Sequence, residues 1–423
     1  MKRIAVDVVR FLRNGAWLTP ERVRGYSVAL ITASLAVVVW LFSGHGANDP
    51  MGRPIGTDFL QFWSASWALL HGQTRIIYDP AAFDSLERRI FHREDSGFFA
   101  FIYPPSSLLL VWPLAYVPYL WAWFLWIAVG LGAYLWALWH ILPGKMTLLV
   151  GLAFPAVLLV ITHGQPTVIL TPILAFSLLL IDNRPVLAGL LLGLISFKPQ
   201  LAPLIPLALL AGGYWRTLLS AGVSLFVILT LSVALFGAQM WTEFFGIMNI
   251  PRQVLDEGLI SPYFKLQSVF SAARLLGGSL PTAYIAQATV SLVAAGLVVG
   301  VWRQSAIDQG LKNAALLAAI PLCTPYFMDY DFFILGPAIA WQARAALRNG
   351  FLPWEATIIA LAYLIPLFAR SLAEFTRLEP APLVACALFI SILVRAFFEP
   401  SRRLPEKPPH RFGDAGAHGR VRK

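Results

Sequence analysis

The chain has 423 residues, 58% of them hydrophobic and only 13% charged, with a formal net charge of +10 and a mean hydropathy of +0.69. A soluble globular domain carries about 25% charged residues, and no soluble fold of this length could hide so much apolar surface. The values exclude a soluble protein and predict an all-α polytopic membrane protein, built from apolar stretches of about 20 residues.

Residues 1–25 carry Lys2, Arg3, Arg10, Arg13, Arg22 and Arg24 against only Asp7 and Glu21. The positive-inside rule expects this basic N-terminus in the cytoplasm. The first apolar run, 26–43, has the length of a span and lacks a clear small-residue cleavage site, so it reads as a signal anchor. The stretch 44–118 then has mixed charge, with Asp49, Asp58, Asp79, Asp84, Glu87, Glu94 and Asp95. It is expected as the first extracytoplasmic loop.

Within it, "GTDFLQFWSASWALLHG" places Asp58 at the head of a predicted helix. One reading is structural: Thr57 or Asp58 caps that helix. The other is chemical: Asp58 is a general base at the membrane surface, its pKa raised by the apolar neighbours Phe59, Phe62 and Trp63. The loop closes on "PPSSLLLVWPLAYVP", residues 104–118, whose four prolines and modest length predict a re-entrant or interfacial piece rather than a span.

Further apolar runs fall at 119–141, 146–162, 166–181, 185–198, 200–212, 217–236, 281–302, 313–328, 332–347, 354–370 and 381–398, which with the first predicts about twelve spans. The cytoplasmic connections would then hold Lys145, Arg184, Arg216, the 303–312 stretch, and Arg344 with Arg348. The outer connections would be 44–118, 163–165, 198–199, 237–280, 329–331 and 370–380, and 262–278 reads as a helix in or near the outer interface. The whole of 26–398 is expected as one transmembrane domain, with 237–280 its second large outer loop. The tail 399–423, with Arg402, Arg403, Lys407, Arg411, Arg420, Arg422 and Lys423, is expected as a disordered cytoplasmic anchor; nucleic-acid binding is the weaker reading of its charge. Cys323 and Cys386 lie in apolar runs and read as small core residues.

Ionisable groups near membrane depth are costly and mark function. His163 and Gln165 form either a polar turn or a hydrogen-bonding pair facing an outer cavity. Lys198 ends an apolar run before Pro199; it either snorkels or clamps a lipid phosphate. Arg252, Lys265 and Arg274 put positive charge on the outer loop, where it can meet anionic head groups or simply be solvated. In "CTPYFMDYDFF", Asp329 and Asp331 could bind a metal, but no third ligand is evident, so Tyr326, Asp329, Tyr330 and Asp331 read as hydrogen-bonding groups. There is no P-loop, GxSxG or HExxH, and no repeat period of 20–50 residues.

Four segments in order, "TDFLQFWSASWALLHGQTRIIYDPAAF", "FIYPPSSLLLVWPLAYVP", "HGQPTVILTPIL" and "RPVLAGLLLGLISFKPQLAPLIPLALL", resemble glycosyltransferase family 87 of the GT-C superfamily, over roughly residues 50–340. The resemblance implies a GT-C-type helix bundle whose first extracytoplasmic loop holds the catalytic acid. It also implies a polyprenyl-phosphate sugar donor, mannose or arabinofuranose, and a lipid-linked or cell-envelope glycan acceptor; beside it, the reading of the residues expects no nucleic-acid partner and no cofactor other than the lipid-borne donor. Asp58 matches the family's DF motif, Tyr103 with Pro104 and Pro105 its YPP element, Gly164 and Gln165 its GQ turn, and Lys198 and Pro199 its KP element. The chain departs from the family at "TPYFMDYDFF", where many relatives carry histidines in a WxHH-like stretch.

The residues fit that chemistry directly. Asp58 can take a proton from an acceptor hydroxyl. Lys198, Gln165, His163, Arg252 and Lys265 are candidates to meet the leaving phosphate, and Trp63 and Tyr103 could stack on a sugar or line a lipid groove. The expectation is an inverting mannosyltransferase in the inner membrane, with both termini cytoplasmic and the active site outside. A transporter or flippase of lipid-linked sugars is the rival reading, although no related halves are visible. A polytopic acyltransferase is a third, for which only His140 and His163 lie near spans.

Overall fold

The computed structural model describes residues 2–91, 99–258 and 262–398, with side chains from residue 7 onward. Glu94, Asp95 and the basic tail 399–423 lie outside the described residues. Among those described the protein is all helical, with no β-strand.

Among the described residues six helices are long and apolar enough to cross a membrane: Pro20–Leu41, Tyr119–Ile141, Trp215–Phe236, Leu280–Arg303, Glu355–Thr376 and Ala381–Phe398. A 22-residue helix is about 33 Å long, against a hydrocarbon core of about 30 Å. Their ends are written in the sequence. Thr19 caps the first, accepting from the Arg22 N–H at 3.3 Å, with Pro20 following at the first helical position. Gly237, at φ +85°, ends Trp215–Phe236. Counted as one span, Lys145–Ala153 and Pro155–His163 make a seventh, bent by 54° where Pro155 withholds its N–H.

Against about twelve expected spans, the described residues hold six helices of spanning length, or seven with the bent pair. Five of the predicted runs form shorter helices: Thr167–Leu180, Pro185–Phe197, Pro199–Ala211, Gln309–Ala319 and Leu335–Asn349. A 14-residue helix reaches only about 21 Å. Hydropathy counts these runs as apolar but does not see where they break. Lys198, with φ −132° and ψ 75°, and Pro199 separate two of them. The irregular 320–334 region separates two others. Broken backbone at membrane depth is tolerated where other protein covers it, and the second break is largely covered in this way: Ile320–Leu322 and the turn Asp329–Ile334 are buried.

Close packing uses small residues. A Cβ added at Gly189 would sit 2.2 Å from the Thr217 carbonyl, and one at Gly193 would sit 2.3 Å from the Ser224 hydroxyl, so Pro185–Gly193 lies directly on Trp215–Phe236. At one end of the bundle Arg395 Nε donates to Glu355 Oε1 at 2.6 Å. Gln342 Nε2 donates to the same oxygen at 3.1 Å and to Ser391 Oγ at 2.8 Å. This buried network ties the last three helices together.

The proline-rich 104–118 segment is a series of short turns with a four-residue helix, Leu108–Val111, and not one span. It lies along the helix Phe59–Leu70: Ser66 Oγ donates to the Trp112 carbonyl at 2.5 Å and accepts from the Ala115 N–H at 2.9 Å. The 262–278 segment contains the seven-residue helix Val269–Leu275, started by a Ser268–Ser271 capping box.

Candidate active site

The helix Phe59–Leu70 begins immediately after Asp58, but the Asp58 side chain makes no capping bond. The capping role considered for Asp58 is thus not the one it takes. Its backbone N–H instead donates to the His163 carbonyl at 2.9 Å, which fastens the helix start to the "HGQP" turn. That approach depends on Gly164. Its φ is +67°, and a Cβ there would lie 2.5 Å from the Phe59 Cβ. Tyr119 Oη donates to the Ile55 carbonyl at 2.6 Å and closes the preceding loop.

From this turn Gln165 reaches the acid: its Nε2 donates to Asp58 Oδ2. Tyr103 Oη donates in turn to Gln165 Oε1 at 2.9 Å. The Tyr103 ring is held edge-on to Phe62, with centroids 4.9 Å apart, and its carbonyl accepts from Tyr78 Oη at 2.8 Å. Gln165 is therefore oriented from one side and leaves its amide donor for the carboxylate. Asp58 is half-buried. Burial pushes its carboxyl above the ordinary aspartate value of 3.8; His163, Gln165 and Lys198 pull it back, and the Asp329 anion adds to the rise.

Deeper in the bundle, the chain breaks meet. Lys198 Nζ is ion-paired to Asp331 Oδ1 and donates to Thr167 Oγ1 at 3.1 Å, and Thr167 Oγ1 itself donates to Asp331 Oδ1 at 2.7 Å. Met328 N–H donates to the other carboxylate oxygen at 3.2 Å. The Tyr330 ring lies 4.9 Å from the ammonium and 5.4 Å from the His163 ring. Lys198 is 2% exposed and Asp331 fully buried. The sequence suggested a snorkelling or phosphate-clamping Lys198; the structure gives an ammonium already neutralised by Asp331.

The remaining candidates separate. Tyr326 and Lys265 are half-buried, Asp329 is buried, and Arg370 Nη1 stands 3.5 Å from Asp329 Oδ2. Arg252 is exposed and pairs with Asp256, one helical turn on, at 3.1 Å. Trp63 does not offer a stacking face: its Nε1 donates to the Val117 carbonyl at 3.0 Å, and its ring is packed against Phe91 and Tyr119. No group of three or more His, Cys, Asp or Glu able to hold a metal occurs among the described residues.

Sequence reasoning missed Thr167 and Arg370. Thr167 reads as an ordinary first-turn residue after a proline. Arg370 was counted at the end of an apolar run, where an ionisable side chain is itself a signal.

This arrangement offers one half-buried carboxylate oriented by a relay, next to hydroxyls and cations, at the junction of several helix ends. Such a site can accept a proton from a hydroxyl and screen an anion. No curated protein and no solved structure matches the chain. Residues 101–325, just over half of it, match the model of glycosyltransferase family 87. The matched part includes Tyr103, His163, Gln165, Thr167, Lys198 and Lys265; Asp58, Asp329, Asp331 and Arg370 lie beyond it. With its several apolar spans and this match, the chain belongs to glycosyltransferase family 87 and is a membrane glycosyltransferase with a sugar donor and an acceptor as its substrates.

Proposed function

We propose that the protein moves mannose from a polyprenyl-phosphate donor to a lipid-linked or cell-envelope glycan, by inverting single displacement on the extracytoplasmic side, with Asp58 as general base. The observation that carries this reading is the Asp58 carboxylate: free of any capping duty, half-buried, and aimed by Gln165 and Tyr103. In the reaction the acceptor hydroxyl oxygen attacks the anomeric carbon and gives its proton to Asp58. The bond from that carbon to the phosphate oxygen breaks, and the polyprenyl phosphate leaves with the electron pair. Displacement from the opposite face inverts the anomeric centre.

A base in this role should sit near the working pH, and burial moves Asp58 in that direction. Gln165 keeps the carboxylate oriented, and His163, Tyr103 and Tyr326 are hydrogen-bonding groups for the sugar. Lys198 acts with Asp331 as a positioning pair rather than on the donor. Three features favour an exterior site. Asp58 follows the first span from a basic N-terminus, Lys145 and Arg344 lie at the other ends of the neighbouring helices, and the positive-inside rule puts those cations inside. A lipid-borne donor suits a cluster reached from the bilayer surface.

The test is transfer by the purified protein in detergent, from polyprenyl-phosphate mannose to a glycolipid acceptor. Asp58→Asn keeps the shape and removes the base, so turnover should fall by about 10²–10⁴-fold. Transfer at the wild-type rate by that variant would overturn the assignment of the base. Transfer only from a nucleotide sugar would overturn the donor class.

A further inference from the structure

Arg370 is a charged group beside this cluster that the proposed mechanism leaves without a task. It is half-buried near the end of the helix Glu355–Thr376. Its one ion pair among the described residues, Nη1 to Asp329 Oδ2, is 3.5 Å long, whereas a well-made charge-assisted bond is about 2.7–2.9 Å. The other Asp329 oxygen already accepts the Tyr330 N–H at 2.9 Å. The turn Tyr263–Lys265 rests against the same helix, and Lys265 is half-buried there. Burial first, and then the positive charge of Arg370, lower the proton affinity of the Lys265 ammonium; Asp58, Asp329 and Glu374 act against that shift.

Asp329 offsets the repulsion between the two cations only in part, since its bond to Arg370 is stretched to 3.5 Å, so a further anion that reaches both cations would be favoured there. Lys198 cannot be that anion's partner, since Asp331 holds it. Arg252 is exposed and satisfied by Asp256. The chemistry of the remaining pair is specific: a guanidinium forks onto two oxygens of a phosphate, and an ammonium adds a mobile point charge.

We propose that Arg370 and Lys265 form the phosphate-binding site of this enzyme, with Asp329 holding the guanidinium in place until a lipid phosphate arrives. The proposal rests on the donor class given above. The two side chains would take the charge that develops on the phosphate oxygen as the bond to the sugar breaks. Lys265 stood among the sequence's candidates for the leaving phosphate and Arg370 did not; the two come from an outer loop and a late helix that lie side by side only in the fold.

The experiment measures binding of undecaprenyl monophosphate to the purified full chain in detergent. The neutral undecaprenol serves as reference, and phosphatidylglycerol as a second anionic lipid. Wild-type protein should prefer the monophosphate to both. Arg370→Gln and Lys265→Gln should each weaken monophosphate binding by about tenfold or more, the worth of a charge-assisted bond, and leave undecaprenol binding unchanged. Arg370→Lys should recover part of the loss, and Arg252→Gln should change nothing. A wild-type protein with no preference for phosphate over alcohol would overturn the donor class and this site together. A preference that survives in both Gln variants would overturn the site alone. Equal binding of phosphatidylglycerol would show a general anionic-lipid surface and also overturn it. Melting curves of the two variants, which alter different elements, guard against a shared folding defect.

Discussion

Replacing Lys198 by Met tests whether that ammonium is a pin in the fold or a contact to substrate. Its side chain is 2% exposed and that of Asp331 1%. Loss of the ammonium leaves Asp331 with only the Thr167 hydroxyl at 2.7 Å and the Met328 N–H at 3.2 Å. Breaking a buried pair from one side costs about 3–5 kcal/mol, because the other charge stays uncompensated. Two surviving bonds place the expectation at the lower end, about 3 kcal/mol, a fall in melting midpoint on the order of 5 °C for a protein of this size. The double variant Lys198→Met/Asp331→Asn removes the stranded charge and should recover at least half of that loss, with transfer activity returning in parallel. Thermal melts and transfer rates of the two variants in one detergent decide the matter. A Lys198→Met protein that melts like wild type yet transfers no sugar would refute the reasoning and return Lys198 to the donor phosphate.

Two other outcomes follow from the geometry. Gly164→Ala forces a side chain onto a residue at φ +67°, 2.5 Å from the Phe59 Cβ. It should destabilise by about 1–3 kcal/mol and lower transfer more than a surface change of equal stability cost, because the Asp58 N–H is bonded to the same turn; wild-type activity and melting would contradict this. Burial pushes the Glu379 carboxyl from 4.5 up to about 8. A raised carboxyl stabilises the fold fully below the unfolded value and loses that contribution as pH rises through about 8. The wild-type melting midpoint should therefore fall between about pH 5 and 9, and Glu379→Gln should flatten that slope; an unchanged slope in the variant would contradict it.

The long helices were legible because a run of apolar residues bounded by Pro, Gly or a capping residue has one reading. The run 119–141 coincides with the helix Tyr119–Ile141, and the four prolines of 104–118 argued against a single span there, which the short turns bear out. The five short helices were not legible as such. Their runs are apolar like those of spans, and the buried polar junction of Lys198, Thr167 and Asp331, which lies at the ends of four of them, is visible only in the fold. Asp58, Gln165 and Tyr103 stood out as a motif, and they meet. The partner of Lys198 lies 133 positions along the chain, and that of Arg370 depends on how one helix rests on a distant turn. Spacing carries no trace of either. Trp63 misled for a related reason: an aromatic beside a candidate acid reads alike whether it faces substrate or, as here, the Val117 carbonyl.

The acid limb of kcat/KM tests the central claim most directly. A general base works only when ionised, so transfer must fall as pH drops through the Asp58 pKa, and burial places that fall above the ordinary value of 3.8. Gln165 stabilises the ionised form, so Gln165→Leu should move the limb to still higher pH. A wild-type profile flat down to about pH 4, or a limb that Gln165→Leu leaves in place, would contradict the account.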